Sequence, residues 1–159
     1  MYWKVSARKG KTMNNRPTEE LDKLLSETQP NRIGEYISDN NKYLADNDKG
    51  FYYYYRNVLD EKHIMLKDVY TQTGISESYG SKIISMEKHT RNRDLIIRLC
   101  IAGHFSLEEV NRALKLYGFN PLYSKTPKDA CVIVALNNHI YDIDRINGLL
   151  QENGLEELK

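Results

Sequence analysis

Apolar residues recur along most of the chain at spacings of three and four, and strict alternation is almost absent. That pattern predicts helices and no sheet. Residues 1–16 offer little to bury and are expected to form a flexible arm. A short helix is expected after Pro17-Thr18, with Leu21, Leu24 and Leu25 on one face. A second opens at Pro30 and turns Ile33, Tyr36, Ile37 and Leu44 inward. The turn-forming run Asp46-Asn47-Asp48-Lys49-Gly50 precedes a helix over 51–62, whose inward face is Phe51, Tyr54, Tyr55, Val58 and Leu59. The same phase points Tyr52 and Tyr53 outward, as rings lying on the surface or as an interface for a partner.

Two short segments follow, over 66–73 and 76–86, with Gly74-Ile75 between them. A helix of about two turns, a glycine turn and a second short helix is the spacing of a helix-turn-helix. Glycine supplies the positive φ that stops the first helix abruptly. A polar, basic loop over 87–92 leads into a helix over 93–103. Ser106-Leu107-Glu108-Glu109 then reads as a capping box, in which the serine accepts from a free helix N–H and Glu109 reaches back. That helix runs to Tyr117 and Gly118 ends it; Thr126-Pro127 opens the next, and Asp142 caps the last. The stretch 140–150 repeats 104–114 in its order of aromatic, cap, apolar, acidic and asparagine positions, and each follows an apolar helix. Two copies are too few for a solenoid. The expectation is two amphipathic hairpins fused on one core.

Composition narrows the class. With 159 residues, 40% of them hydrophobic and 28% charged, the chain can bury one core without disulfides or metal. The longest apolar run, over 130–136, stops at Asn137, far short of the roughly 20 residues a membrane span needs. No apolar leader segment opens the chain, and Cys100 and Cys131 sit inside apolar helical patterns as buried thiols. A cytoplasmic protein with no membrane partner is expected.

Charge is unevenly spread. Residues 1–16 carry Lys4, Arg8, Lys9, Lys11 and Arg16 and no acid, whereas 17–50 carry eight acids against four bases. Between 82 and 98, Lys82, Lys88, Arg91, Arg93 and Arg98 outweigh Glu87 and Asp94, a local excess that attracts polyanions. Nothing comparable suggests catalysis. His63, His89, His104 and His139 lack ligand spacing, so no metal and no cofactor is expected. No hydrolase or phosphate-loop motif occurs, and Cys100 falls on an apolar helix face. The chain does not read as an enzyme.

Several stretches carry a family likeness: 74–83 (Gly74-Ile75-Ser76-Glu77-Ser78-Tyr79-Gly80-Ser81-Lys82-Ile83), Arg93-Asp94-Leu95-Ile96-Ile97-Arg98-Leu99, and 106–115 from Ser106 to Lys115. Asn120-Pro121-Leu122-Tyr123, Lys128-Asp129-Ala130 and Leu149-Leu150 extend it. Over about two thirds of its length the chain resembles the bacterial XRE-like, phage-repressor-type helix-turn-helix proteins. It is most similar to a subset with an acidic helical N-terminal region and an extra C-terminal hairpin. The resemblance implies an all-α fold, with acidic helices over 17–50, a five-helix core over 51–120 and a C-terminal hairpin over 121–159. It further implies binding of double-stranded DNA by a transcription regulator, as a homodimer. Ser76, Glu77, Ser78, Ser81 and Lys82 then fall on the base-reading face, and Ser85, Lys88, His89, Arg91 and Arg93 fall where phosphates are held.

Three positions depart from the family pattern. Leu66 replaces a phosphate-holding glutamine, Glu77 puts a carboxylate at the leading end of the reading helix, and Gly80 replaces a core-facing apolar residue. These keep a second reading open, a protein-interaction module that reuses the scaffold and docks a protein partner.

Overall fold

The expected helices form. The computed structural model describes residues 17–44 and 49–159; the basic arm at 1–16 and the turn residues Asp46, Asn47 and Asp48 lie outside the described residues. Nine α-helices and no strand occur among the described residues. They are α1 (Thr18–Glu27), α2 (Ile33–Asn40), α3 (Gly50–Lys62), α4 (Leu66–Thr73), α5 (Glu77–Ile84), α6 (Arg93–Ala102), α7 (Leu107–Tyr117), α8 (Pro127–Asn137) and α9 (Ile143–Glu152). Among these residues no helix is long and apolar enough to cross a membrane.

One continuous core runs from Phe51 to Leu158. In α3 the residues at helical spacing, Phe51, Tyr54, Tyr55, Val58 and Leu59, are all buried. Tyr55 stacks on Phe105 at 5.1 Å and donates its hydroxyl to the Leu99 carbonyl at 2.7 Å, so a polar group enters the core with its bond made. The centre is α6, where Leu95, Ile96, Ile97, Leu99, Cys100, Ile101 and Ala102 are buried. A helix that is apolar all round needs neighbours on every side, and α4, α7 and α9 supply them. Burial pushes the Cys100 thiol well above its ordinary pKa and keeps it protonated. Cys131 on α8, by contrast, is only half-buried.

Local signals hold where they are self-contained. Ser106 accepts from the Glu109 N–H at 3.2 Å while Glu109 accepts from the Ser106 N–H at 2.9 Å, completing the capping box. Asp142 accepts from the Arg145 N–H, and Pro127 occupies the first turn of α8.

The two hairpins α6–α7 and α8–α9 are related as structural repeats, not only as a sequence echo. Asn111 accepts from the Leu122 N–H at 2.9 Å, and Asn147 accepts from the Leu158 N–H at 2.9 Å. The charges at the head of each hairpin reach across: Arg93 binds Asp129, and Lys128 binds Asp94 at 2.7 Å. Arg93 also donates to the Pro121 carbonyl, as Lys128 does to that of Glu157. His104 and His139 occupy the same left-handed cap after their first helices, with φ of +58° and +56°.

The N-terminal helices break with the sequence expectation. Leu25 lies on the apolar face expected for α1, and Ile33 and Ile37 on that expected to turn inward in α2, yet they are 41, 45 and 49% exposed, and α1 buries no residue. Their amphipathic pattern is real, but only Leu21, Leu24, Tyr36 and Leu44 of these apolar residues are half-buried. Instead Thr18, Leu21, Tyr43 and Leu44 border an open cleft of about 540 Å³ against Glu108, Asn111, Arg112, Lys115 and Leu116.

Candidate nucleic-acid interface

Gly74 has φ +73° and its N–H closes α4 on the Tyr70 carbonyl at 3.0 Å, so α4 stops in one residue. Ser76 then caps α5 by accepting from the Tyr79 N–H at 3.2 Å. The two helices pack closely because Gly80 lies on the Tyr70 ring: a Cβ there would sit 2.5 Å from a ring carbon. This accounts for the glycine at a position where a larger apolar residue was the family expectation. Ile83 and Ile84 anchor the far end of α5 in the core.

The opposite side of α5 is open. Ser76, Glu77, Ser78, Ser81 and Lys82 are all exposed, with residues 17–44 in place. Their chemistry is three hydroxyls that donate or accept, one carboxylate that only accepts and one ammonium that only donates. The Ser81 hydroxyl donates to the Ser78 carbonyl at 3.1 Å and keeps its acceptor lone pairs outward. Ser85 is half-buried, and its hydroxyl turns back onto the Lys82 carbonyl at 3.3 Å.

Beyond α5, Met86 takes φ +67° and the Lys88 N–H bonds the Lys82 carbonyl, folding the basic loop against the helix end. Lys88 is exposed, with its ammonium 5.3 Å from the centre of the Tyr79 ring, a cation–π contact. The His89 ring stacks on Tyr117 at 4.6 Å, and Tyr117 stacks in turn on Phe119. Tyr117 accepts from the Thr90 N–H at 3.1 Å, which fixes the loop from beneath. Arg91 is exposed.

Arg93 does not belong to this face. Its guanidinium gives two bonds to Asp129, at 3.1 and 2.9 Å, and others to the Asn120 and Pro121 carbonyls. Asp129 is buried, so the pair is a bidentate clamp between hairpins. A guanidinium with four bonds inside the protein has little left for phosphate.

Two cations escaped the sequence reading. Lys49 donates to the Ser85 carbonyl at 2.8 Å, at the C-terminal end of α5 where the helix dipole favours positive charge. Lys49 and Arg56 both approach the Tyr52 ring, at 5.7 and 5.9 Å from its centre. The spacing of Tyr52 and Arg56, one helical turn, was the available signal.

Leu66 and Glu77 both lie on the α4–α5 pair, Leu66 half-buried against the core at the start of α4 and Glu77 exposed in the first turn of α5. A carboxylate there suits the positive end of the helix dipole. No family model, no curated protein and no solved structure matches the chain.

Proposed function

We propose that the protein is a cytoplasmic, non-catalytic transcription regulator that binds double-stranded DNA in a sequence-dependent manner through a helix-turn-helix formed by α4 and α5. In this reading the chain is similar to the XRE-like regulators, with α3–α7 as the five-helix core. One observation carries it: α5 is seated on α4 by Gly80 and leaves Ser76, Glu77, Ser78, Ser81 and Lys82 exposed on one side. A polar helix face of that size fits a major groove, where hydroxyls and an ammonium meet base edges.

Lys82 and Ser78 lie one turn apart and enter the same groove. Lys88 and Arg91 hold phosphates beside them, while Arg93 is withdrawn from that role by Asp129. A single motif grips half a site, so the protein acts as a homodimer on a two-fold site. Selection of bound sequences from a random duplex library tests this reading. Enrichment of a two-fold related motif supports it; binding that enriches nothing and vanishes as salt rises leaves only phosphate attraction.

A second reading is favoured by the exposed apolar residues of the N-terminal helices. Leu25, Ile33 and Ile37 stand among the acids of α1 and α2, the surface of a protein-docking module. The two readings divide on α5, whose outward face is idle in a docking module of this kind.

A further inference from the structure

The internal repeat makes a comparison possible that a single hairpin would not. Each residue of α8 after Pro127 has a counterpart on α6: Lys128 matches Arg93 and Asp129 matches Asp94 at the head, and His139 matches His104 at the left-handed cap. The ladder agrees at the far end, since Gly103 bonds the Leu99 and Cys100 carbonyls and Asn138 bonds those of Val134 and Ala135. Val134 is therefore the counterpart of Leu99.

Their environments differ completely. Leu99 is 0% exposed, and α4 packs on α6 with Arg98, next to Leu99, bonding the Thr73 carbonyl. Val134 is 58% exposed. The positions around it follow suit: Leu95 and Ile96 are buried, whereas their counterparts Ala130 and Cys131 are half-buried. Among the described residues, α8 packs on α7 and α9, and no further helix packs on it as closely as α4 does on α6. Asn137, exposed, replaces the buried Ala102 and ends the bare stripe on an uncharged polar residue.

We infer that this face of α8 is a homodimer interface, in which α8 packs antiparallel on α8 of a second copy about a two-fold axis near Val134. Two features select a second copy over an unrelated partner. The stripe Ala130, Cys131, Val134, Asn137 and Asn138 carries no charge, so copies meet along it without like-charge repulsion. The charges at its two ends are opposite. Exposed Lys125 precedes the N-terminus of α8, and at the start of α9, which follows the C-terminus of α8, the exposed Asp142 and Asp144 outnumber the exposed Arg145. Antiparallel pairing sets the lysine of each copy against the acids of the other, twice over, and opposes the helix dipoles favourably. The interface gives the homodimer of the proposed function its surface but does not depend on DNA binding. A dimer without duplex affinity would leave it intact.

Sedimentation equilibrium of the full chain at micromolar to submillimolar concentration tests it. The wild-type protein is expected to reach twice the mass of one chain and no more. Val134→Lys brings two ammonium groups together near the axis and should raise the dissociation constant about a hundredfold or more. Val134 is exposed, so the variant should keep its helical circular dichroism. Lys125→Asp should also weaken the dimer, and adding Asp144→Lys should restore it. A wild type that stays monomeric throughout, open-ended larger assemblies, or a dimer that Val134→Lys leaves intact would overturn the interface. A charge swap that restores nothing would overturn the antiparallel arrangement.

Discussion

The Arg93 guanidinium lies across the buried Asp129 carboxylate, with N–O distances of 3.1 and 2.9 Å, and Asp129 also accepts from the Tyr123 N–H at 2.9 Å. The same carboxylate thus holds one hairpin to the other and fixes the loop between α7 and α8. Its counterpart Asp94 accepts from Lys128 at 2.7 Å and from the Lys159 N–H at 3.2 Å, but it is more exposed. Removing one partner of a buried charged pair costs about 3–5 kcal/mol when water is fully excluded. Arg93 keeps partial access to water, so Asp129→Asn should cost about 2–3 kcal/mol and Asp94→Asn about 1 kcal/mol. Urea unfolding with an unchanged m-value is the measurement. Equal losses would contradict the ranking.

Gly80→Ala sets two effects against each other. Alanine is the better helix former by up to about 1 kcal/mol, but its Cβ would strike the Tyr70 ring at 2.5 Å. Overpacking of that kind costs about 1–3 kcal/mol, so the variant should lose stability on balance. Adding Tyr70→Leu, which removes the struck ring atoms, should recover part of the loss. Thermal melts of the wild type and the two variants check it.

How much of this was legible in the sequence depends on how far apart the partners lie. The Ser106–Glu109 box, the Gly74 turn and Pro127 involve residues within one turn, and each formed as its local chemistry dictated. The Arg93–Asp129 clamp joins residues in different hairpins, and a charged residue beside a basic loop looks the same whether it meets phosphate or carboxylate. The signal was there in the matching dipeptides Arg93-Asp94 and Lys128-Asp129, which lie one residue out of step with the repeat read from 104–114 and 140–150, because the second hairpin has an extra residue before Asp142. In α1 and α2 the periodicity was correct and the inference from it was not. Amphipathicity says that a face is apolar, not that Leu25, Ile33 or Ile37 has a surface to meet.

Glu109 gives the stability curve an acid limb. Burial raises its pKa, but hydrogen bonds from Lys62 and Ser106 and the Lys62 charge more than offset this, leaving it below the ordinary value of 4.5. A carboxyl depressed in the folded state adds stability above its unfolded pKa, and that contribution is lost as pH falls through the folded value. Wild-type protein should therefore lose more stability than Glu109→Gln on acidification below about pH 4. Chemical unfolding at neutral and acid pH compares them; parallel curves would remove Glu109 from the account.

Arg91 and Arg93 should separate cleanly. Arg91→Ala is expected to weaken every duplex about equally and to lower the salt dependence of binding by about one unit. Arg93→Ala should destabilise the fold through the orphaned Asp129 and leave that slope unchanged. Titrations of labelled duplex at several salt concentrations give both slopes.

The central claim is that α5 reads bases, and Lys82→Ala tests it most directly. Affinity is measured for the enriched duplex and for a scrambled one, at two salt concentrations. Base contact by the lysine makes the variant lose about 1–3 kcal/mol on the enriched duplex and much less on the scrambled one. Equal losses on both duplexes, or no loss on either, would contradict it.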